Sequence, residues 1–207
     1  MTSSHFAKRP RRLTVKLLLA VMAALIFALS YYLGNRYARP LMAHLQIWVF
    51  PQPEPVQPFH LQDKDGKPFT PASLRKHWNF LMAGNLEDPG CRELLRLYVF
   101  AWNRLAGNRG LQEQTRVVFL QTTPMPKTDM KQAIEFFNPV FTAVSGDEAA
   151  LIPLARQMGL PGSGPLPSSC SIEKSAVALI NPDGFLVALF TGLDDPAVIA
   201  HDQQFFN

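Results

Sequence analysis

The chain has 207 residues, 47% of them hydrophobic, which suits one domain with an attachment and allows a real core to be buried. Its net charge of +4 is unevenly spread: seven of the 20 basic residues precede Pro51 with no acid among them, leaving 13 basic against 16 acidic residues after it, a balance of −3. The high pI therefore belongs to the N-terminal segment, and nucleic-acid binding, which calls for a basic patch on a folded domain, finds no support.

Residues 1–12 form a basic stub, with Lys8, Arg9, Arg11 and Arg12. Residues 17–34, "LLLAVMAALIFALSYYLG", run without a charge, and extending back past Lys16 to Leu13 lengthens the apolar stretch to 13–34. At about 1.5 Å per helical residue this spans a hydrocarbon layer of roughly 30 Å, with Tyr31 and Tyr32 at the interfacial end. Positive charge concentrates before the span, which predicts a cytoplasmic N-terminus and an exported remainder: in a bacterium, a single-pass inner-membrane protein with a periplasmic domain. A cleaved signal peptide is the rival reading, with Ala28-Leu29-Ser30 as a small-x-small site. Residues 35–58 then read as a juxtamembrane segment and a proline-rich spacer, "PQPEPVQP".

The domain is expected over 59–207. Asp65-Gly66 between short extended runs predicts a hairpin. "PASLRKHW" is a helical turn opened by proline, and 79–83 a short apolar strand. Residues 92–106 carry apolar side chains at the spacing of a mostly buried helix, ending near "GNRG". "RVVFLQTT" (116–123) suits a central strand. "DMKQAIEFF" is helical, "VFTAVSG" a strand, and "DEAALIPLARQMG" a helix with acids at its start and glycine at its end. A loop leads to "SAVALINPDGFLVALFTG", two strands joined at the turn "NPDG", and "DPAVIAHDQQFF" closes the chain as a helix. The order predicts a central mixed sheet flanked by helices on both faces, an α/β fold of thioredoxin-like type with an added N-terminal hairpin.

Two cysteines, Cys91 and Cys170, fall in the exported part; there they can pair, or stay reduced as ligands or nucleophiles. Cys91 stands at a strand-to-helix turn, "FLMAGNLEDPGCRELL", the position from which thioredoxin-type proteins work. That turn, the hairpin "FHLQDKDGKPFT" and the tail "EKSAVALINPDGFLVALFTG" resemble the Sco/SenC family, membrane-anchored thioredoxin-fold factors that help deliver copper to cytochrome c oxidase. The resemblance covers about 59–206. It implies a copper site of two cysteines with three residues between them and a distant histidine. On this chain those positions hold Glu87, Cys91 and Lys174, a degenerate set. Cu(I) prefers thiolate and imidazole, whereas carboxylate is hard and an ammonium is no ligand, so copper binding is expected to be weak or lost.

Three roles for Cys91 stay open: a relic thiol, a disulfide with Cys170, whose loop approaches the thiol turn in the resembled fold, or a displaced metal or redox site using both. The resemblance implies a role in oxidase assembly through contacts with an oxidase subunit or a copper-competent paralogue, with no confident cofactor. An enzyme is the lesser expectation: a thiol–disulfide oxidoreductase or peroxiredoxin-like reductant using Cys91. Further expectations are that Lys174 is either a surface charge or an ion-pair partner of Glu87. Glu87 and Asp88 read as dipole-favouring surface acids. His60, His77 and His201 read as scattered surface residues, and Met125 and Met130 as packing.

Overall fold

The computed structural model describes residues 11–37, 47–159, 166–192 and 194–206, with side chains in the first of these over 15–30. The chain divides into two compact units, 1–45 and 46–207. Most of the expected basic stub, together with 38–46 of the expected juxtamembrane segment, lies outside the described residues.

In the first unit Arg11–Tyr37 forms one 27-residue helix, α1. Over 15–30, where its side chains are described, all are exposed. Among the described residues, no helix is long and apolar enough to cross a membrane.

The second unit is built on an eight-stranded mixed sheet. Its strands are β1 (Ile47–Pro55), β2 (Leu61–Asp63), β3 (Pro68–Phe69), β4 (Trp78–Gly84), β5 (Thr115–Gln121), β6 (Thr142–Ser145), β7 (Val177–Ile180) and β8 (Phe185–Phe190), in the spatial order β1-β8-β7-β4-β5-β6-β2-β3. β4, β5 and β6 are parallel, and β7 joins β4 antiparallel. All of β4 and nearly all of β5 is buried, as parallel strands covered on both faces require. Successive side chains feed opposite cores. Phe80, Met82, Val117 and Phe119 enter one, with α3 (Pro89–Arg104), α5 (Lys127–Phe137) and α7 (Pro196–Phe205). Leu81, Ala83, Val118 and Leu120 enter the other, with α2 (Pro71–Leu74) and α6 (Glu148–Gln157). This is the two-faced arrangement that the order of elements predicts.

Two stretches differ from the sequence expectation. Residues 47–55, read as juxtamembrane segment and spacer, form β1, an edge strand antiparallel to β8. Proline donates no ladder bond, but an edge strand needs only one partner, and the register slips between Val49 and Glu54, the interval that holds Pro51 and Pro53. After Leu105–Gly107, a 3₁₀ turn, a short helix α4 (Arg109–Gln114) follows in a stretch to which the sequence pattern assigned no element. Asn108 starts it by accepting from the Leu111 N–H at 3.2 Å. The two expected hairpins form as read, each with its turn glycine in the left-handed region: Gly66 at φ +78° and Gly184 at φ +88°.

Candidate functional site: the disulfide turn

β4 delivers the chain to the loop Asn85–Asp88, and α3 leaves from it. Asp88 is the N-cap and Pro89 opens the helix, so Cys91 lies in the first turn and is fully buried. Cys91 is bonded to Cys170, 79 residues later, with their Cα atoms 4.6 Å apart. Of the three open roles, the structure takes the disulfide.

The surroundings are shaped for that loop. A Cβ on Gly84 would run into both sulfurs, and one on Gly90 would run into the Cys170 carbonyl oxygen. These two glycines let the backbones of β4 and α3 approach the Cys170 segment closely. Asp88 ties the arrangement together: its Oδ1 accepts from the Cys91 N–H at 2.9 Å and from the Cys170 N–H at 3.1 Å. One carboxylate oxygen thus caps the helix and holds the incoming loop. Buried Gln121, at the end of β5, braces the turn from beneath. Its Oε1 accepts from the Leu86 N–H at 3.0 Å, and its Nε2 donates to Asn85 Oδ1 at 3.1 Å. The Thr122 hydroxyl lies 2.9 Å from the Gly84 carbonyl oxygen and 2.6 Å from that of Pro167, linking β5 to the same loop.

The residues at the other two expected ligand positions do not join this centre. Glu87 and Lys174 are exposed, and among the described residues no ion pair links them, so the proposed internal pair is not formed. Lys174 is a surface charge. The ligand atoms of Asp88, Cys91 and Cys170 lie within 4.8 Å of one another, and Glu87 is not part of that group. A soft cation finds no thiolate here while the sulfurs are bonded to each other, because the thiolate is the ligand. Reduction would give two thiols beside one carboxylate, which, on losing their protons to an incoming thiophilic ion, would suit it better than the Glu87, Cys91 and Lys174 positions do.

Met130 is fully buried, and Met125 packs partly buried against the same core. His77 Nδ1 sits 3.2 Å from the Arg75 carbonyl oxygen, His201 Nδ1 3.2 Å from Asp202 Oδ1, and His60 is exposed. The sequence reading missed the double role of Asp88, although Asp-Pro ahead of an apolar helix is itself an N-cap signal. It also missed Gln121, whose only mark is a polar residue closing a buried strand.

No family model matches the chain, and no curated protein matches it. Solved structures do. The apo Sco1 protein from Thermus thermophilus aligns with a TM-score of 0.64 at 21% identity, over 81% of this chain and 99% of that one. Arabidopsis thaliana ScoI, solved with copper bound, aligns at 0.60 and 18%, over 71% and 94%. BsSco, described as having a disulfide switch and as a member of the Sco family of cytochrome c oxidase assembly proteins, aligns at 0.55 and 16%, over 75% and 95%. Nearly the whole of each neighbour is covered, at identities that speak to fold alone. The second unit has the thioredoxin-like fold of Sco proteins, with a disulfide seated at the head of its first long helix.

Proposed function

We propose that this is a membrane-anchored, Sco-like factor that assists cytochrome c oxidase assembly through protein contacts and carries no copper in its oxidised state. The observation that carries this reading is the buried bond between Cys91 and Cys170, with exposed Glu87 and Lys174 where the resembled site has ligands. The fold supports the family side of the reading, since one neighbour is described as a member of a family of oxidase assembly proteins and another was solved with copper. The apolar stretch 13–34 of the sequence supports the anchor. The excess of positive charge before it supports a cytoplasmic N-terminus with the domain on the opposite side, the periplasm in a bacterium. The partner on this reading is an oxidase subunit or a copper-competent paralogue.

The enzyme alternative loses its stated nucleophile, because the Cys91 sulfur is bonded and has no exposed surface. An incoming thiolate would have to strike the half-buried Cys170 sulfur and release Cys91 as the leaving thiolate.

The test has two arms. Full-length oxidised protein is titrated with Cu(I) against a competing chelator; the chelator is expected to keep the metal, and tight one-to-one binding by the protein would overturn the reading. A host strain lacking the gene is complemented with wild type or with Cys91→Ala/Cys170→Ala. Both are expected to restore oxidase copper loading, and rescue by the wild type alone, with the variant folded and present at wild-type abundance, would show that the sulfurs take part.

A further inference from the structure

Helix α3 buries one side completely: Leu94, Leu95, Leu97, Tyr98 and Ala101 all enter the core. Its opposite side presents Arg92, Arg96, Phe100 and Arg104, all exposed and each four residues from the next. Residues at that interval form one ridge along a helix, here about 18 Å long from end to end. Phe100 is 52% exposed in the middle of it.

Two features point to a charged partner for this ridge. Among the described residues the ion pairs are Lys64–Glu135, Lys131–Asp65 and His201–Asp202, so none of the three arginines has an acidic partner. Glu93, also exposed, does not pair with them either. The unpaired positive charge stands on a portion of the chain whose overall balance is negative, 13 basic against 16 acidic residues after Phe50.

We infer that the Arg92–Arg96–Phe100–Arg104 ridge of α3 is a docking surface for a protein partner that presents a strip of carboxylates around an apolar pocket. Arginine with an exposed aromatic is the composition of interface anchors: the guanidinium takes carboxylate in a two-pronged bond, and the ring fills the pocket between. A lipid surface fits less well. A helix that lies in a bilayer needs a broad apolar face to insert, and the apolar face of α3 is already used by the core. The negative balance of the rest of the domain would also be repelled by anionic headgroups. The inference rests on the reading that the domain works by contact, and it does not depend on which assembly the partner belongs to.

The test measures anisotropy of a fluorescein-labelled oligoglutamate peptide with the full-length protein in neutral detergent, alongside flotation with phosphatidylglycerol–phosphatidylcholine vesicles. Arg92→Glu/Arg96→Glu/Arg104→Glu is expected to weaken peptide binding at least about tenfold, and added salt to weaken the wild type in the same direction. Lys67→Glu/Arg75→Glu/Lys76→Glu, an equal charge change on other exposed positions, is expected to leave binding within about twofold. Retention of the Cys91–Cys170 bond and of the far-ultraviolet dichroism certifies folding; the glutamine triple at the same arginines serves if the glutamate triple fails it. Equal loss in both triples, wild-type binding by the ridge variant, or a ridge effect confined to vesicles would overturn the inference. The ridge variant is also titrated with Cu(I), because copper binding by the oxidised chain would sink the contact-only reading while leaving the ridge result standing.

Discussion

Gly90→Ala separates what the helix prefers from what the disulfide loop demands. Gly90 is in the first turn of α3, where alanine is the better helix former by up to about 1 kcal/mol. With the loop seated, however, the new methyl meets the carbonyl oxygen of Cys170, a backbone atom that cannot rotate aside. Overpacking of that kind costs about 1–3 kcal/mol. In the oxidised protein the two effects oppose each other and the clash prevails. In the reduced protein the loop is free to draw back and only the helix preference remains, so the same substitution turns neutral or stabilising. The difference between the two states is the clash itself. It should appear both as a coupling in denaturant unfolding with and without reductant, and as a rise of about 20–65 mV in the reduction potential of the Cys91–Cys170 bond. Equal effects in the two redox states, with an unmoved potential, would refute the claim that Gly90 exists to admit the Cys170 backbone.

Three further outcomes follow from the same geometry. Cys91→Ala/Cys170→Ala opens a loop closed over 79 residues, which chain-entropy accounting values at about 4 kcal/mol; a fall of about 8–16 °C in the thermal midpoint is expected, and an unchanged midpoint would deny the bond a stabilising role. Gln121→Leu removes the acceptor for the buried Leu86 N–H and is expected to cost about 1–3 kcal/mol in denaturant unfolding, with faster hydrogen exchange at Leu86; a cost below about 0.5 kcal/mol would show that the turn is braced elsewhere. Burial raises the Tyr98 phenol above its usual value of 10.0, so the folded state holds it neutral, and the stability this contributes is complete below that pH and lost as pH rises above it. Tyr98→Phe is expected to flatten the alkaline fall in stability, and an identical alkaline limb in the variant would contradict this.

The local pattern of the chain was enough to place most of the domain. Apolar runs at residues 79–83 and 116–123 suited buried strands, Asp65-Gly66 and Asn181–Gly184 signalled tight turns, and the apolar spacing after Cys91 suited a helix. These features depend on backbone stereochemistry and on burying one side of each element, which neighbours in sequence already express. β1 was illegible for the opposite reason: three prolines in 47–55 argue against a ladder, and only the open edge of β8 makes a place where a strand can form without their donors. The redox state of Cys91 lay further out of reach. Its partner is 79 residues away, and its seat depends on two glycines that matter because a backbone from elsewhere passes over them. Asp88 shows the division in one residue. Its place before Pro89 marks the start of a helix, whereas its second bond, to the Cys170 N–H, exists because the sheet brings that loop within 3.1 Å. Glu87 and Lys174 remain unjoined for the same reason: alignment can set two residues at one family's ligand positions, but only packed backbones decide which side chains meet.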